Sequence, residues 1–263
     1  MSALDQAFIR AYSPGSPAAA TADDPEGEAD DRDSGFRPLL QVDGCVWPTV
    51  LTRMDVAAGE ALDRVVDRVI VGLARGRKVV GFQGCRRGDG CTTLVLATGR
   101  RLARRGLRVL LVDADAEHPR LARRLGLAPQ LGWEAVLDGR MPLEEVAIES
   151  LEDGLAILPL REPAVGSDEE SPGEGPAPQE VLQTLREGYD LVLIDLGRPA
   201  RSAGAAPGLA EGLSSSIDAV MVVQNVRGTS SLELNETCDQ LRAAGMADVA
   251  VVENFVQAED AGK

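Results

Sequence analysis

Short runs of apolar residues alternate with stretches of helical periodicity along most of this chain. The runs are KVVGFQG (78–84), LRVLLVDAD (107–115), LAILPL (155–160), DLVLIDL (190–196), DAVMVVQNV (218–226) and ADVAVVENF (247–255). A run that is apolar at nearly every position is typical of a strand buried on both faces, and strands that alternate with helices pair in parallel. The pattern therefore predicts an α/β fold, a single domain with one doubly wound, mostly parallel sheet and helices on both faces.

Two segments differ in composition from the rest of the chain. Residues 1–43 carry nine acidic residues against three arginines, and residues 161–178 combine acidic residues with proline and glycine. Segments with so few large apolar side chains bury too little surface to offset the entropy of ordering them. We therefore expect residues 1–43 to be a disordered acidic tail, residues 44–258 to form the domain, and residues 161–178 to be an acidic loop within it.

Charge, hydropathy and cysteine content argue against several classes of function. The net charge of −15 argues against general nucleic-acid binding. No apolar stretch is long enough to span a bilayer, and the first residues lack the basic start and apolar core of an export signal, so we expect a cytoplasmic protein with no membrane span. Four scattered cysteines and one histidine, His118, favour neither a disulfide framework nor a zinc site.

A glycine-rich loop, GCRRGDGCTT (84–93), follows the first apolar run and leads into a helix predicted over 92–105. Gly88 and Gly90 allow the backbone to approach a ligand closely. The N–H groups of such a loop and the dipole of the helix both favour a bound anion. Residues 86–124 hold ten arginines against four acidic residues, so the surroundings are locally basic. The loop is therefore the first candidate for an anion site.

The loop departs at one position from the phosphate-loop pattern G-x-x-x-x-G-K-[ST]. Gly84 or Cys85 falls near the first glycine and Thr92 supplies the hydroxyl that binds magnesium, but Cys91 stands where the lysine is expected. The only lysines are Lys78 and Lys263, outside the loop. A thiol at a helix N-terminus is expected to have a lowered pKa. A small side chain tolerated where a lysine was lost is the simpler interpretation of Cys91.

These motifs together resemble the nucleotide-binding core of the bacterial tyrosine kinases of capsule and exopolysaccharide export (CpsD/CapB-like), a branch of the MinD/ParA deviant Walker P-loop ATPases. GDGCTT stands in place of the family's GEGKST-like loop, VLLVDAD matches its second acidic strand, and YDLVLIDLG (189–197) matches its Walker B strand. The resemblance covers roughly residues 60–256. It implies a P-loop NTPase-like fold, with ATP or ADP and Mg²⁺ as ligands.

The resemblance also implies roles for single residues. Asp113 and Asp115 would be the catalytic carboxylates, Thr92 and Asp195 would bind Mg²⁺, and Asn254 falls where the family contacts the adenine base. The remaining expected nucleotide contacts are the loop residues Gly84, Arg86, Arg87, Gly88, Asp89, Gly90, Cys91, Thr92 and Thr93.

The missing lysine leaves three functions open. Its loss should weaken nucleotide binding and slow phosphoryl transfer by orders of magnitude. The favoured interpretation is a pseudoenzyme with weak or lost ATP hydrolysis, which acts as a regulator or scaffold in polysaccharide export or envelope organisation. One alternative is an active ATPase or kinase in which Arg86 or Arg87 replaces the lysine, since arginine binds phosphate bidentately. The other is a nucleotide-independent interaction module.

Partners are implied by the same resemblance. A membrane-embedded component of polysaccharide export is the expected protein partner, and it would hold the chain at the inner membrane without a membrane span of its own. A homodimer is an assembly that relatives form around nucleotide. No nucleic acid is expected among the partners. The arginines that cover the end of the loop-proximal helix, at 100, 101, 104 and 105, are expected to be mostly a solvated face complementing the helix dipole.

Overall fold

The computed structural model describes residues 36–161, 175–199, 212–246 and 248–255. Its strands are β1 (Leu40–Val42), β2 (Val79–Gly84), β3 (Val109–Asp113), β4 (Ile148–Ser150), β5 (Leu155–Leu158), β6 (Leu191–Asp195), β7 (Ala219–Asn225) and β8 (Val249–Asn254). Its α-helices within these ranges are α1 (Thr49–Leu73), α2 (Cys91–Arg104), α3 (Leu121–Arg124), α4 (Glu134–Leu137), α5 (Pro178–Gly188) and α6 (Ser231–Ala243).

All eight strands form one sheet in the order β1-β4-β5-β3-β6-β2-β7-β8. Neighbouring strands pair in parallel except β4 and β5, which are antiparallel. After β2 the chain passes β6 to reach β3, and after β6 it passes β2 to reach β7, so the winding reverses near the centre of the sheet. Ligands in such sheets bind outside the carboxyl ends of the strands at this reversal. The predicted α/β class is confirmed.

The core lies on both faces of the sheet because the central strands are apolar on both faces. In β3, Leu110 and Val112 pack in one buried cluster, whereas Val109 and Leu111 pack in the other. All four are fully buried. Burial on both faces is the physical reason why the strand sequences show continuous rather than alternating hydrophobicity.

Two short strands were missed by the sequence analysis. β1 lies within the segment expected to be a disordered tail, and that expectation is wrong for residues 40–42, where Leu40 pairs with Ile148 and Val42 with Ser150. Each strand has only three residues, and β1 is largely exposed, so neither has a hydrophobic pattern that stands out. Residues 1–35, 162–174 and 256–258, which the predicted tail, loop and domain also include, lie outside the described residues.

The first helix is longer than its apolar stripe indicates, because α1 begins at Thr49 and bends at Ala58, whose φ is −142°. It packs against α2 through ion pairs. Arg101 of α2 contacts Asp55 at 2.7 Å and Asp63 at 2.5 Å. Arg105 contacts Asp67 at 2.7 Å. These two arginines therefore connect two helices, and the expectation of a solvated face is wrong for them. No helix in the described ranges is long and apolar enough to cross a membrane.

Candidate functional site

The glycine-rich loop connects β2 to α2 at the carboxyl edge of the sheet. Gly88 and Gly90 have φ values of 94° and 95°, in the left-handed region that glycine adopts without strain. Gly90 is the N-cap of α2, and a Cβ atom at this position would collide with the amide of Asn254. The predicted strand–loop–helix arrangement is therefore present, with the N-terminus of α2 open to a cleft.

Asp89 connects this loop to two other elements. Its carboxylate, 3% exposed, accepts hydrogen bonds from the Arg86 N–H at 2.8 Å and from the Thr229 hydroxyl at 3.0 Å. Its backbone carbonyl accepts a hydrogen bond from Asn254 Nδ2 at 2.8 Å. The loop is thus tied to the segment after β7 and to the end of β8. Asn254, expected beside an adenine base, places its amide donor on the loop backbone.

Cys91 occupies the lysine position and contacts a carboxylate. Its Sγ donates a hydrogen bond to Asp195 Oδ1 at 3.2 Å, and the side chain is buried. Burial, together with the nearby Asp195 charge, raises the pKa of the Cys91 thiol well above its ordinary value. The expectation of a lowered thiol pKa is therefore wrong, because desolvation outweighs the helix N-terminus. The one described lysine, Lys78, precedes β2 at the opposite edge of the sheet.

Asp113 and Asp195 are cross-strand neighbours at the ends of β3 and β6, each 1% exposed. Burial, then the Asp195 charge, raises the pKa of Asp113 to about 7. Burial also raises the pKa of Asp195, although hydrogen bonds from Thr92, Cys91 and the Gly197 N–H oppose that rise. Two neighbouring carboxyl groups that are buried away from water favour their protonated forms.

The two expected catalytic aspartates differ in orientation. Asp113 accepts backbone N–H bonds from Arg120 at 2.8 Å, Leu121 at 2.9 Å and Asp115 at 3.2 Å, so its carboxylate organises the start of α3. Asp115 is half-buried and lines the cleft. It lies close against Gly197, where a Cβ atom would collide with the Asp115 carboxyl group.

The cleft in front of the loop has a volume of about 260 Å³. Its walls hold five arginines and two aspartates, so its lining is predominantly basic. The lining residues are Arg86, Arg87, Gly88, Asp89, Gly90, Cys91, Thr92, Thr93, Asp115, His118, Arg120, Arg124, Gly197, Arg198 and Phe255.

Three of these arginines were not singled out as ligand contacts in the sequence analysis. Arg120 and Arg124 follow β3 and Arg198 follows β6, so the parallel sheet brings them to the loop. Their place just beyond two strand ends was the signal that could have identified them. Arg86, by contrast, donates from Nη1 to the Gly228 carbonyl at 2.6 Å and lies 3.6 Å from Glu233.

The side chains of this edge fit an anionic ligand with an accompanying Mg²⁺ ion. Among the described residues, no group of three or more histidine, cysteine, aspartate or glutamate side chains could hold a metal ion alone. Thr92 and Asp195 share a hydrogen bond and provide two oxygen atoms beside the loop. One or two protein oxygens together with ligand phosphates are the usual Mg²⁺ environment at nucleotide sites.

Comparison with curated proteins finds relatives of two kinds. The chromosome-partitioning ATPase Soj of Thermus thermophilus is 39% identical over 109 residues, which are 41% of this chain and 41% of Soj. The putative tyrosine-protein kinase EpsB of Ralstonia solanacearum is 30% identical over 163 residues, which are 61% of this chain and 20% of EpsB. The chain thus spans less than half the length of either relative.

Solved structures share the fold. The kinase domain of VpsO superposes with a TM-score of 0.61 at 24% identity, covering 75% of this chain and 94% of that domain. The septum site-determining protein MinD of Pyrococcus horikoshii, complexed with Mg-ADP, superposes with a TM-score of 0.52 at 24% identity, covering 66% of this chain and 67% of MinD. Residues 77–243, more than half of the chain, match the family described as "Cellulose biosynthesis protein BcsQ". The chain therefore belongs to this family, whose members are of the MinD/ParA type.

Proposed function

We propose that this protein binds ATP or ADP in its arginine-lined cleft, hydrolyses nucleotide slowly or not at all, and acts as a regulator or scaffold in polysaccharide synthesis and export. The observation that carries the proposal is the contact of the Cys91 thiol with Asp195 at the place of the loop lysine, beside a loop whose other anion-binding features are retained.

Nucleotide binding is supported by the charge and backbone of the cleft. Gly88, which has no atom of the described residues beyond its chain neighbours within 4 Å of the place where a Cβ would lie, leaves space for close approach of a phosphate, and the N-terminus of α2 offers N–H groups and a favourable dipole. Five arginines line the walls. A bound Mg²⁺ ion would neutralise phosphate charge, with Thr92 and Asp195 as its protein oxygens.

Slow turnover is supported by the neutral thiol of Cys91 and by the hydrogen bonds and raised pKa of Asp113. A neutral thiol in place of an ammonium removes the charge that stabilises the transferring phosphoryl group, which is the main source of catalysis in such sites. Asp113, an expected catalytic carboxylate, is committed to three backbone N–H groups and has a pKa of about 7, so it is partly protonated at neutral pH. Of the two aspartates at and after the end of β3, Asp115 is the one that lines the cleft.

An active ATPase or kinase is the second candidate, and the retained Thr92, Asp115 and Asp195 favour it. In that case a cleft arginine performs the role of the lysine. Arg86 is poorly suited, because its guanidinium is engaged by Gly228 and Glu233. Arg87, exposed at the loop, is the better of the two arginines that the sequence suggested.

The proposed setting is supported by the family and one relative. The family is described as a cellulose biosynthesis protein and EpsB as a putative tyrosine-protein kinase, so we place the chain in the synthesis or export of an extracellular polysaccharide. We propose that a membrane-embedded component of that machinery is its partner and holds it at the inner membrane. A homodimer that forms around bound nucleotide is the proposed assembly.

Phosphate release from Mg-ATP tests the proposal. We expect the natural chain to bind nucleotide but to release phosphate no faster than an Asp195→Ala variant. Turnover that clearly exceeds that background and disappears in Asp113→Ala or Asp115→Ala would establish the active enzyme instead. Failure to bind nucleotide at millimolar concentration would favour an interaction module that works without nucleotide.

A further inference from the structure

We infer that Arg120 and Arg124, on the turn and short helix after β3, supply part of the positive charge that phosphate-loop proteins take from the loop lysine, enough to hold nucleotide phosphates but not to restore rapid phosphoryl transfer. The ligand groups they would contact are the terminal phosphates of a nucleoside di- or triphosphate. The inference rests on the proposed function, because it requires nucleotide phosphates to lie in the cleft.

Arg120 is fixed beside the carboxylate pair and lacks a partner for part of its side chain. Its backbone N–H donates to Asp113 Oδ2 at 2.8 Å, which sets the position of its Cα. The side chain lines the cleft, and its Nε is buried with no hydrogen-bond partner among the residues described. A buried guanidinium N–H without an acceptor is unfavourable, and a phosphate oxygen is an acceptor that matches its geometry.

Arg124 reaches the N-terminus of the helix that follows the loop. Its Nη1 donates to Thr93 Oγ1 at 3.3 Å, and Thr93 lies in the first turn of α2. This contact places the guanidinium where the loop N–H groups and the helix dipole favour an anion. Arg120 is the N-cap of α3 and Arg124 its last residue, and both line the same cleft, so the two can act on one ligand.

Of the other three cleft arginines, two have partners in the protein. Arg86 contacts Gly228 and Glu233. Arg198 pairs through Nη2 with Glu117 at 2.5 Å, although its Nε, like that of Arg120, is buried with no partner among the described residues. Arg87 is an exposed residue of the loop and also lines the cleft. Arg120 and Arg124 differ from these three because they belong to α3 and the turn before it, so their contacts would link ligand binding to the position of α3.

The test is calorimetric titration of the full chain with Mg-ADP and Mg-ATP. The variants are Arg120→Gln, Arg124→Gln and the double variant, with Arg123→Gln as the matched control, since Arg123 is exposed on the same helix and does not line the cleft. We expect each single variant to weaken binding about tenfold, because each loses charge-assisted hydrogen bonds. The double variant should weaken binding further, and Arg123→Gln should stay within about twofold of the natural chain.

A rescue experiment separates lost charge from lost structure. Cys91→Lys introduced into the double variant should restore binding, because it returns a cation to the loop. Unchanged affinity in the double variant would overturn the inference while leaving the proposed function intact. Binding by Cys91→Lys but not by the natural chain would also overturn the inference, since the arginines would then be insufficient. Absence of binding in both would refute the proposed function itself.

Discussion

Cys91 Sγ lies 3.2 Å from Asp195 Oδ1, so a neutral thiol faces a buried carboxylate where the related phosphate loops carry a lysine. An ammonium at this place would favour the ionised form of Asp195, whereas the thiol leaves the carboxylate to its desolvated surroundings. The raised pKa values of Asp113 and Asp195 come from burial of the two carboxyl groups, and at Asp113 also from the Asp195 charge. Burial therefore favours the protonated forms of both acids at this edge of the sheet.

The stability of the protein should depend on pH through Asp113. Its pKa is about 7 in the folded state against about 4 in an unfolded chain. The folded state therefore binds the proton more tightly, and this group's contribution to stability is complete below about pH 4 and is lost as the pH rises to about 7. As the pH rises from 5 to 8, the unfolding free energy of Asp113→Asn should increase by about 1–3 kcal/mol relative to that of the natural chain.

Urea denaturation at the two pH values measures this difference. Asp43→Asn, which changes an exposed carboxylate, is the control. A difference between Asp113→Asn and the natural chain that is the same at pH 5 and pH 8 would contradict the assignment.

Cys91 should resist alkylation in the folded protein. Burial raises the pKa of its thiol, and the thiolate is the nucleophile. With iodoacetamide at pH 8, peptide mapping should find Cys91 unmodified under native conditions and modified in urea. Cys45, half-exposed with a pKa of about 11, is the internal comparison and should react earlier. Rapid native labelling of Cys91 would show that the thiol is exposed or ionised.

The hydrogen bond from Thr229 to Asp89 should hold the loop in its anion-binding shape. Thr229→Val leaves the buried carboxylate with one partner fewer, which costs about 1–3 kcal/mol of unfolding free energy. Amide exchange across residues 85–91 should accelerate as well. The control is Thr184→Val, since the Thr184 hydroxyl is exposed and bonds only to Glu180 O within its own helix. Equal exchange rates in the two variants would show that Thr229 does not stabilise the loop.

Arg101 should contribute to the packing of α1 on α2. It contacts both Asp55 and Asp63 and is less exposed than an ordinary surface arginine. We expect Arg101→Gln to cost about 1 kcal/mol, with a smaller loss at high salt because such pairs are screened. Arg104→Gln changes an exposed arginine of the same helix and serves as the control. Equal losses for the two variants, independent of salt, would mean that the ion pairs contribute nothing.

Most of the fold was predictable because its strands are buried on both faces. β2, β3, β6 and β7 are unbroken apolar runs, and such runs have few alternatives to a central parallel sheet. β1 and β4 were not predictable, since three residues show no period and their pairing depends on segments far apart in sequence.

The site was predictable where the motif is local and less so where the fold assembles it. The loop from Gly84 to Thr93 was identified from its glycines and the strand before it. The pKa of Cys91 was mispredicted because the helix N-terminus is visible in the sequence, whereas the burial and the Asp195 contact are not. The cleft arginines Arg120 and Arg198 come together only through the strand order.

Mg-ADP binding by the natural chain and by Cys91→Lys, measured in parallel by calorimetry, tests the central claim most directly. We expect weak binding by the natural chain and at least tenfold tighter binding by Cys91→Lys, because a phosphate-contacting ammonium contributes about 1.5–3 kcal/mol. Cys91→Met, long but uncharged, should not reproduce the gain. Equal affinity of the natural chain and Cys91→Lys, or no binding by either, would contradict an intact nucleotide cleft that has lost its loop cation.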